Sequence, residues 1–193
     1  MKDNLRFEAK RKLVHILLTF WPLLFVFLGF SREIDLALYL VYLAFMFSSE
    51  FLRIRYGLNT PTAMLIRSVS RSTVNKRIKE EWKRVRIPYW IFGSIFAMGL
   101  FGPQIIIAST VCLSFGDSSS GVVKTILNKR KSLAASSIGI LVSLILIYTL
   151  TGNIAMAAFS SVAGMIGDTS NIVNDNLSIP ILAAVGGYLG SLV

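Results

Sequence analysis

Ser114-Phe115-Gly116-Asp117-Ser118-Ser119-Ser120-Gly121 combines a carboxylate, a run of small hydroxyls and two glycines, at the end of an apolar stretch from Ile105. A charged side chain at the centre of a membrane helix costs roughly 2.5–3.5 kcal/mol, less toward the surface. Asp117 therefore needs a compensating partner. Ile166-Gly167-Asp168-Thr169-Ser170 echoes Phe115-Gly116-Asp117-Ser118-Ser119 after 51 residues. In each segment Gly lets another backbone approach, Asp can bind a hard cation such as Mg²⁺ or Mn²⁺, and the hydroxyls can donate to phosphate oxygens. Two such corners face to face would hold one or two divalent ions, and a cation would relieve the mutual pKa rise of adjacent carboxylates. A chance likeness of two ordinary helix ends is the competing reading. Gly116–Gly121 has the opening of a P-loop but not its Gly-Lys-Ser/Thr ending, because Val122 and Val123 follow; no protein-kinase signature occurs.

The elements that must position these groups are membrane helices. Of 193 residues 54% are apolar, gathered in blocks long enough to cross a bilayer. The expected fold is an all-α polytopic membrane protein, one domain over residues 1–193. It has seven spans at 13–30, 34–52, 88–101, 103–125, 134–151, 154–170 and 177–193. With the N-terminus in the cytosol and the C-terminus outside, Arg32 alone of the 20 Lys and Arg residues falls on the outer side. That is the positive-inside pattern. The net charge of +10 thus reflects topology and not nucleic acid. The first span reads as an uncleaved one, since no Ala-x-Ala-like site follows it. A single histidine, His15, and a single cysteine, Cys112, exclude a zinc site of several His and Cys ligands. Cys112 reads as a small buried residue. Gly186 and Gly190 read as helix packing, with a homodimer left open.

Counted from the outer ends of their spans, Glu50, Asp117, Asp168 and His15 lie 14 to 16 residues in. At about 1.5 Å per residue this places all four about 21–24 Å from the outer surface, in the cytosolic third of the bilayer. Asp175 and the basic segments lie just beyond. One layer of polar groups on four helices describes a membrane-embedded site open to the cytosol.

Between the second and third spans, Thr60-Pro61 suits a helix start. Val74, Ile78, Trp82 and Val85 then form a stripe opposite Lys76, Arg77, Lys79, Lys83 and Arg84, as in a basic amphipathic helix on the inner leaflet. Its cations either anchor to anionic lipid or also meet phosphates. Lys124, Lys129, Arg130 and Lys131 stand beside Asp117 on the same side, and Ser132 can cap the fifth span.

Five motifs recur in order: Glu8-x-x-Arg11-Lys12-Leu13-x-His15, Ser49-Glu50-Phe51-Leu52-Arg53, Ser114-Phe115-Gly116-Asp117, Lys131-Ser132-Leu133-x-x-Ser136, and Asn174-Asp175-Asn176-Leu177-Ser178-Ile179-Pro180. In these the chain resembles, almost end to end, the CTP-dependent lipid kinases (dolichol kinase, phytol kinase and the eukaryotic-type diacylglycerol kinase), distant relatives of phosphatidate cytidylyltransferases. It departs from their pattern at Ala134-Ala135, where the family has Glu-Gly, at Asn174, where it has Asp, and at Asp168, where Glu is expected.

The resemblance implies transfer of the γ-phosphoryl of CTP to a membrane lipid alcohol. The alcohol is of polyprenol or dolichol type, with phytol, geranylgeraniol and diacylglycerol as other candidates. The site faces the cytosol of a cell membrane or endoplasmic-reticulum-type membrane. The expected catalytic residues are Asp117, Asp175 and Asp168, which are also the expected Mg²⁺ (or Mn²⁺) ligands. Arg11, Lys12, Ser118, Ser119, Lys124, Lys131 and Ser132 are expected to meet the nucleotide, and His15, Glu50 and Asn176 to orient the layer. For His15 the bland reading is an interfacial polar residue, and for Glu50 an ion pair with Arg53. The expected partners are the lipid alcohol, a nucleoside triphosphate and membrane lipids, with no nucleic acid. Three other readings remain: a cytidylyltransferase making a CDP-lipid, a small ion-coupled transporter using the intramembrane acids, and a non-catalytic membrane subunit.

Overall fold

The computed structural model describes residues 9, 12–13, 16–17, 21–61, 64, 93, 95, 97, 100–128, 132–170 and 174–193. The expectations for Arg11, His15, Lys129, Arg130, Lys131 and the amphipathic stripe from Val74 to Val85 lie outside them. Every described element is helical. Residues 21–28 are helical, and five helices have both ends described: α1 (Arg32–Tyr56), α2 (Pro103–Ile126), α3 (Leu133–Thr151), α4 (Ile154–Ser170) and α5 (Asp175–Ser191). Of these, α1, α2 and α3 are long and apolar enough to cross a membrane.

The ends are written locally. Ser31 caps α1 by accepting from the Ile34 amide, and Gly57 closes it in the left-handed region at φ 66°. Pro103 occupies the first turn of α2, where its missing N–H costs nothing. Ser132 caps α3, accepting from the Ala135 amide at 3.4 Å, as the sequence leads one to expect. Pro61 begins a helical turn, and the Met64 amide bonds the Thr60 carbonyl at 2.9 Å.

Burial sorts the helices into a centre and a shell. Ile105 to Leu113 of α2 are all buried, whereas α1 and α3 leave most of their apolar faces outside. Leu40, Val41, Phe45 and Phe51 on α1 and Leu141 and Ile145 on α3 are exposed. Exposed apolar area on this scale marks a surface that meets lipid. The interior holds small and hydroxyl side chains, with Ser109, Ser120, Ser143, Ser160 and Ser161 all fully buried. In lipid there is no hydrophobic drive between helices, so close backbone packing holds them together. A Cβ on Gly186 would stand 2.5 Å from the Phe159 carbonyl oxygen, and one on Gly190 2.5 Å from that of Ala155. These two glycines therefore serve packing of α5 on α4 within the chain. Cys112 is buried with its Sγ 3.4 Å from the Ser160 carbonyl, a structural cysteine as expected.

One feature of α2 has no signature in the sequence. From Cys112 to Gly116 the helix widens into a π turn, and the Asp117 amide bonds the Cys112 carbonyl five residues back. Such turns insert one residue into the helical phase and concentrate at functional sites. This one ends where Asp117 begins.

Candidate functional site

The π turn and two close glycine contacts place Asp117. A Cβ on Gly116 would meet Met165 Cε at 3.1 Å and the Gly139 carbonyl oxygen at 3.5 Å. On Gly139 it would stand 2.9 Å from the Gly116 carbonyl oxygen and 3.2 Å from Ser120 Cβ. Thus α3 lies directly against the backbone that carries the first Gly-Asp pair. The second pair is built alike. A Cβ on Gly167 would stand 3.0 Å from backbone atoms of Ile179 and Ser178, and Ser178 Oγ donates to the Gly167 carbonyl at 3.1 Å. Glycine at both positions admits a neighbouring helix to the level of the acid.

The two corners touch. Ser120 Oγ donates to Asp168 Oδ2 at 3.1 Å, and Lys124 Nζ meets the same oxygen at 2.5 Å. Ser120 and Lys124 are four residues apart and share one face of α2. On the adjoining face, Lys12 Nζ meets Asp117 Oδ2 at 2.5 Å. Asp117, Asp168 and Lys12 are each buried, so both pairs are charge-assisted contacts in a poorly hydrated setting. The Asn174 side chain accepts from the Asn176 amide at 3.0 Å and so caps α5. This puts Asp175 in the first turn, at the rim of the cluster. Loss of hydration, then the charges of Asp117 and Asp168, push the Asp175 carboxyl above its ordinary range, while Lys124 and Lys12 pull the other way. Three carboxylates and two ammonium groups thus share one electrostatic neighbourhood with a net charge of −1.

Of the residues expected at the site, the structure gathers Lys12, Asp117, Lys124, Asp168 and Asp175. Ser119, Ser132 and Glu50 have other partners. Ser119 Oγ donates to the Gly116 carbonyl of its own helix at 3.0 Å. Ser118 is buried, and its hydroxyl has no partner among the described residues. Ser132 is the cap of α3. Glu50 forks with Arg53, Oε1 to Nε at 3.1 Å and Oε2 to Nη2 at 2.7 Å, with both side chains buried. Its ion-pair reading is therefore the one observed.

No family model, curated protein or solved structure matches this chain. The case for a function thus stands on the residues and their geometry.

Two things escaped the sequence reading. Ser120, absent from the expected set, is the hydroxyl that joins the corners. Its spacing from Asp117 and Lys124 was the available signal. The lysines were expected at phosphates, and the structure places Lys12 and Lys124 on the acids themselves. The donor chemistry of Asp117, Asp168, Asp175 and the serines, all oxygen, fits a hard divalent cation. As arranged, no three His, Cys, Asp or Glu side chains among the described residues stand close enough together to hold one.

Proposed function

We propose that this chain is a seven-span membrane enzyme, N-terminus in the cytosol, that transfers the γ-phosphoryl of CTP to a membrane lipid alcohol at its cytosolic side. The observation that carries the proposal is the Ser120–Asp168 bond with its two flanking lysine–aspartate pairs. It joins two Gly-Asp segments 51 residues apart into one polar cluster within a bundle whose outer faces are apolar. The CTP donor and the lipid alcohol come from the motif resemblance, and the anatomy is compatible with both.

Phosphoryl transfer asks a protein chiefly to position the groups and neutralise charge. Lys12 and Lys124, with Arg11 and Lys131 of the adjoining basic segments, supply cations for the phosphates. Asp175, at the rim and with its proton affinity raised, is suited to take the proton of the lipid hydroxyl. The hydroxyl oxygen then bonds to the γ-phosphorus, the bridging bond to the β-phosphate breaks, and CDP leaves. Mg²⁺ or Mn²⁺, which the motif resemblance implies, would neutralise phosphate charge; Asp117, Asp168 and Asp175 as arranged do not form a group that could hold it. The lipid tail stays in the bilayer while its head reaches the cluster between helices.

The test offers CTP labelled in its γ-phosphate, and then ATP, to the purified protein with Mg²⁺ and a panel of lipid alcohols in micelles. Label in a lipid monophosphate is the expected result. Label released as pyrophosphate, with formation of a CDP-lipid from a lipid phosphate, would assign nucleotidyl transfer instead. No turnover with any alcohol or lipid phosphate would defeat the enzymatic reading.

A further inference from the structure

We propose that Ser178 is a positioning residue of the site: its one hydroxyl, shared between the carbonyls of Gly167 and Asn174, fixes the first turn of α5 against α4 and so sets where Asp175 stands relative to Asp168. The consequence for turnover rests on the phosphoryl-transfer reading above; the placement itself does not.

Gly167 immediately precedes Asp168, and Asn174 immediately precedes Asp175. Ser178 Oγ lies 3.1 Å from the Gly167 carbonyl oxygen and 3.4 Å from that of Asn174. One O–H between two acceptors makes a three-centre bond, and this one joins the backbone just ahead of each acid. A serine inside a helix commonly back-bonds to the carbonyl four residues earlier, which accounts for the Asn174 contact. It does not account for the Gly167 contact, which crosses from α5 to α4. That crossing needs a glycine, since a Cβ on Gly167 would stand 3.0 Å from Ser178 C and from Ile179 N and Cα. Ser170 Oγ also donates to the Gly167 carbonyl at 3.1 Å, but from within α4, so it cannot hold α5.

The start of α5 depends on such a tie. Pro180 lies inside the helix and has no N–H, so the rung it would donate one turn back is missing. Beyond Pro180 the body of the helix is set by close packing, Gly186 and Gly190 against α4 and Pro180 against Gly93. Ahead of it, the Asn174 cap and the Ser178 bond hold the turn that carries Asp175. Asp175 is exposed on that turn and feels the charges of Asp117, Asp168, Lys124 and Lys12. A shift of the turn changes its place among all four. For a group that must meet the proton of a substrate hydroxyl, a misplacement of about 1 Å can cost about a hundredfold in rate.

The test compares wild type with Ser178→Ala, the hydroxyl-keeping Ser178→Thr, and Ser191→Ala, which removes a back-bonding hydroxyl from the far end of α5. Hydrogen exchange is followed by mass spectrometry on the purified proteins in nanodiscs, without nucleotide. Ser178→Ala is expected to speed amide exchange over residues 174–180 about fivefold, with residues 181–190 unchanged and Ser178→Thr close to wild type. Steady-state lipid phosphorylation is measured on the same proteins. Ser178→Ala is expected to lower kcat about tenfold with KM for CTP within about twofold, Ser178→Thr to recover most of the loss, and Ser191→Ala to match wild type. Unchanged exchange over 174–180 in Ser178→Ala overturns the inference, as does acceleration spread evenly along α5. So does a loss of kcat that Ser178→Thr fails to recover, or a Ser178→Ala protein with faster exchange and full activity. Wild type without turnover defeats the kinase reading, while the exchange arm still decides whether Ser178 sets the turn.

Discussion

Ser120 Oγ lies 3.1 Å from Asp168 Oδ2, across 48 residues of sequence. A neutral hydroxyl donating to a carboxylate is worth about 1.5–3 kcal/mol when the acceptor is charged. Ser120→Ala should therefore lower kcat/KM for lipid phosphorylation about tenfold or more. Ser119→Ala, whose hydroxyl only back-bonds to Gly116, should leave it within about twofold. Parallel kinetics of the two variants decide whether the bond matters or merely the serine run.

Asp117→Asn should lower CTP-dependent phosphorylation by about a hundredfold or more, the scale on which removing one preorganised charge-stabilising group acts. The amide keeps the size of the carboxylate but loses the charge that Lys12 meets. Full activity of a folded Asp117→Asn protein would sink the central assignment.

Glu50 and Arg53 make a buried fork with side chains 1% and 0% exposed. Removing one member takes away the counter-ion observed beside the other, at a cost of about 3–5 kcal/mol. Glu50→Leu and Arg53→Met should each lower the unfolding temperature in detergent sharply. The double variant should recover most of the loss. A double variant as unstable as the sum of the singles would mean that the pair contributes little by itself.

The glycines separate packing from chemistry. A Cβ at Gly190 meets backbone, Ala155 O at 2.5 Å and Met156 Cα at 2.8 Å, whereas at Gly116 the nearest atom is the flexible Met165 Cε at 3.1 Å. Gly190→Ala should cost about 1–3 kcal/mol through forced separation of α4 and α5. Gly116→Ala should cost less in stability but change activity more, since it adjoins Asp117. Thermal unfolding and turnover measured on both variants check the crossing of the two effects.

The pH dependence has a definite sign at Asp175. Its carboxyl is held above the ordinary range in the folded protein by lost hydration and by Asp117 and Asp168. The folded state therefore binds the proton more tightly than the unfolded one, and stability falls as pH rises from the ordinary aspartate range through the raised value. Asp175→Asn should raise the unfolding temperature at neutral pH and leave it unchanged at pH below the ordinary range. Equal shifts at both ends would remove the electrostatic account.

The sequence alone carried what is local or one-dimensional. Apolar blocks, proline and serine at helix starts and glycine at helix ends are read residue by residue. They correctly located the helix starts at Ser132 and Pro103, because caps and breakers act over a turn; the second span, expected to end at residue 52, runs on to Tyr56 and closes at Gly57. It also named Asp117 and Asp168, since an acid at the end of an apolar run is costly wherever the chain folds. What it could not supply were distances between helices. Ser120 reaches Asp168 in a bundle where Gly139 and Gly167 let backbones close to contact, and Lys12 reaches Asp117 across 105 residues. The π turn at Cys112–Gly116 sets the phase of Asp117, and it is paid for by packing between helices, which no spacing along one helix records. Which cation neutralises which acid was decided there, by the tertiary structure, because burial makes a partner obligatory but only three-dimensional proximity selects it.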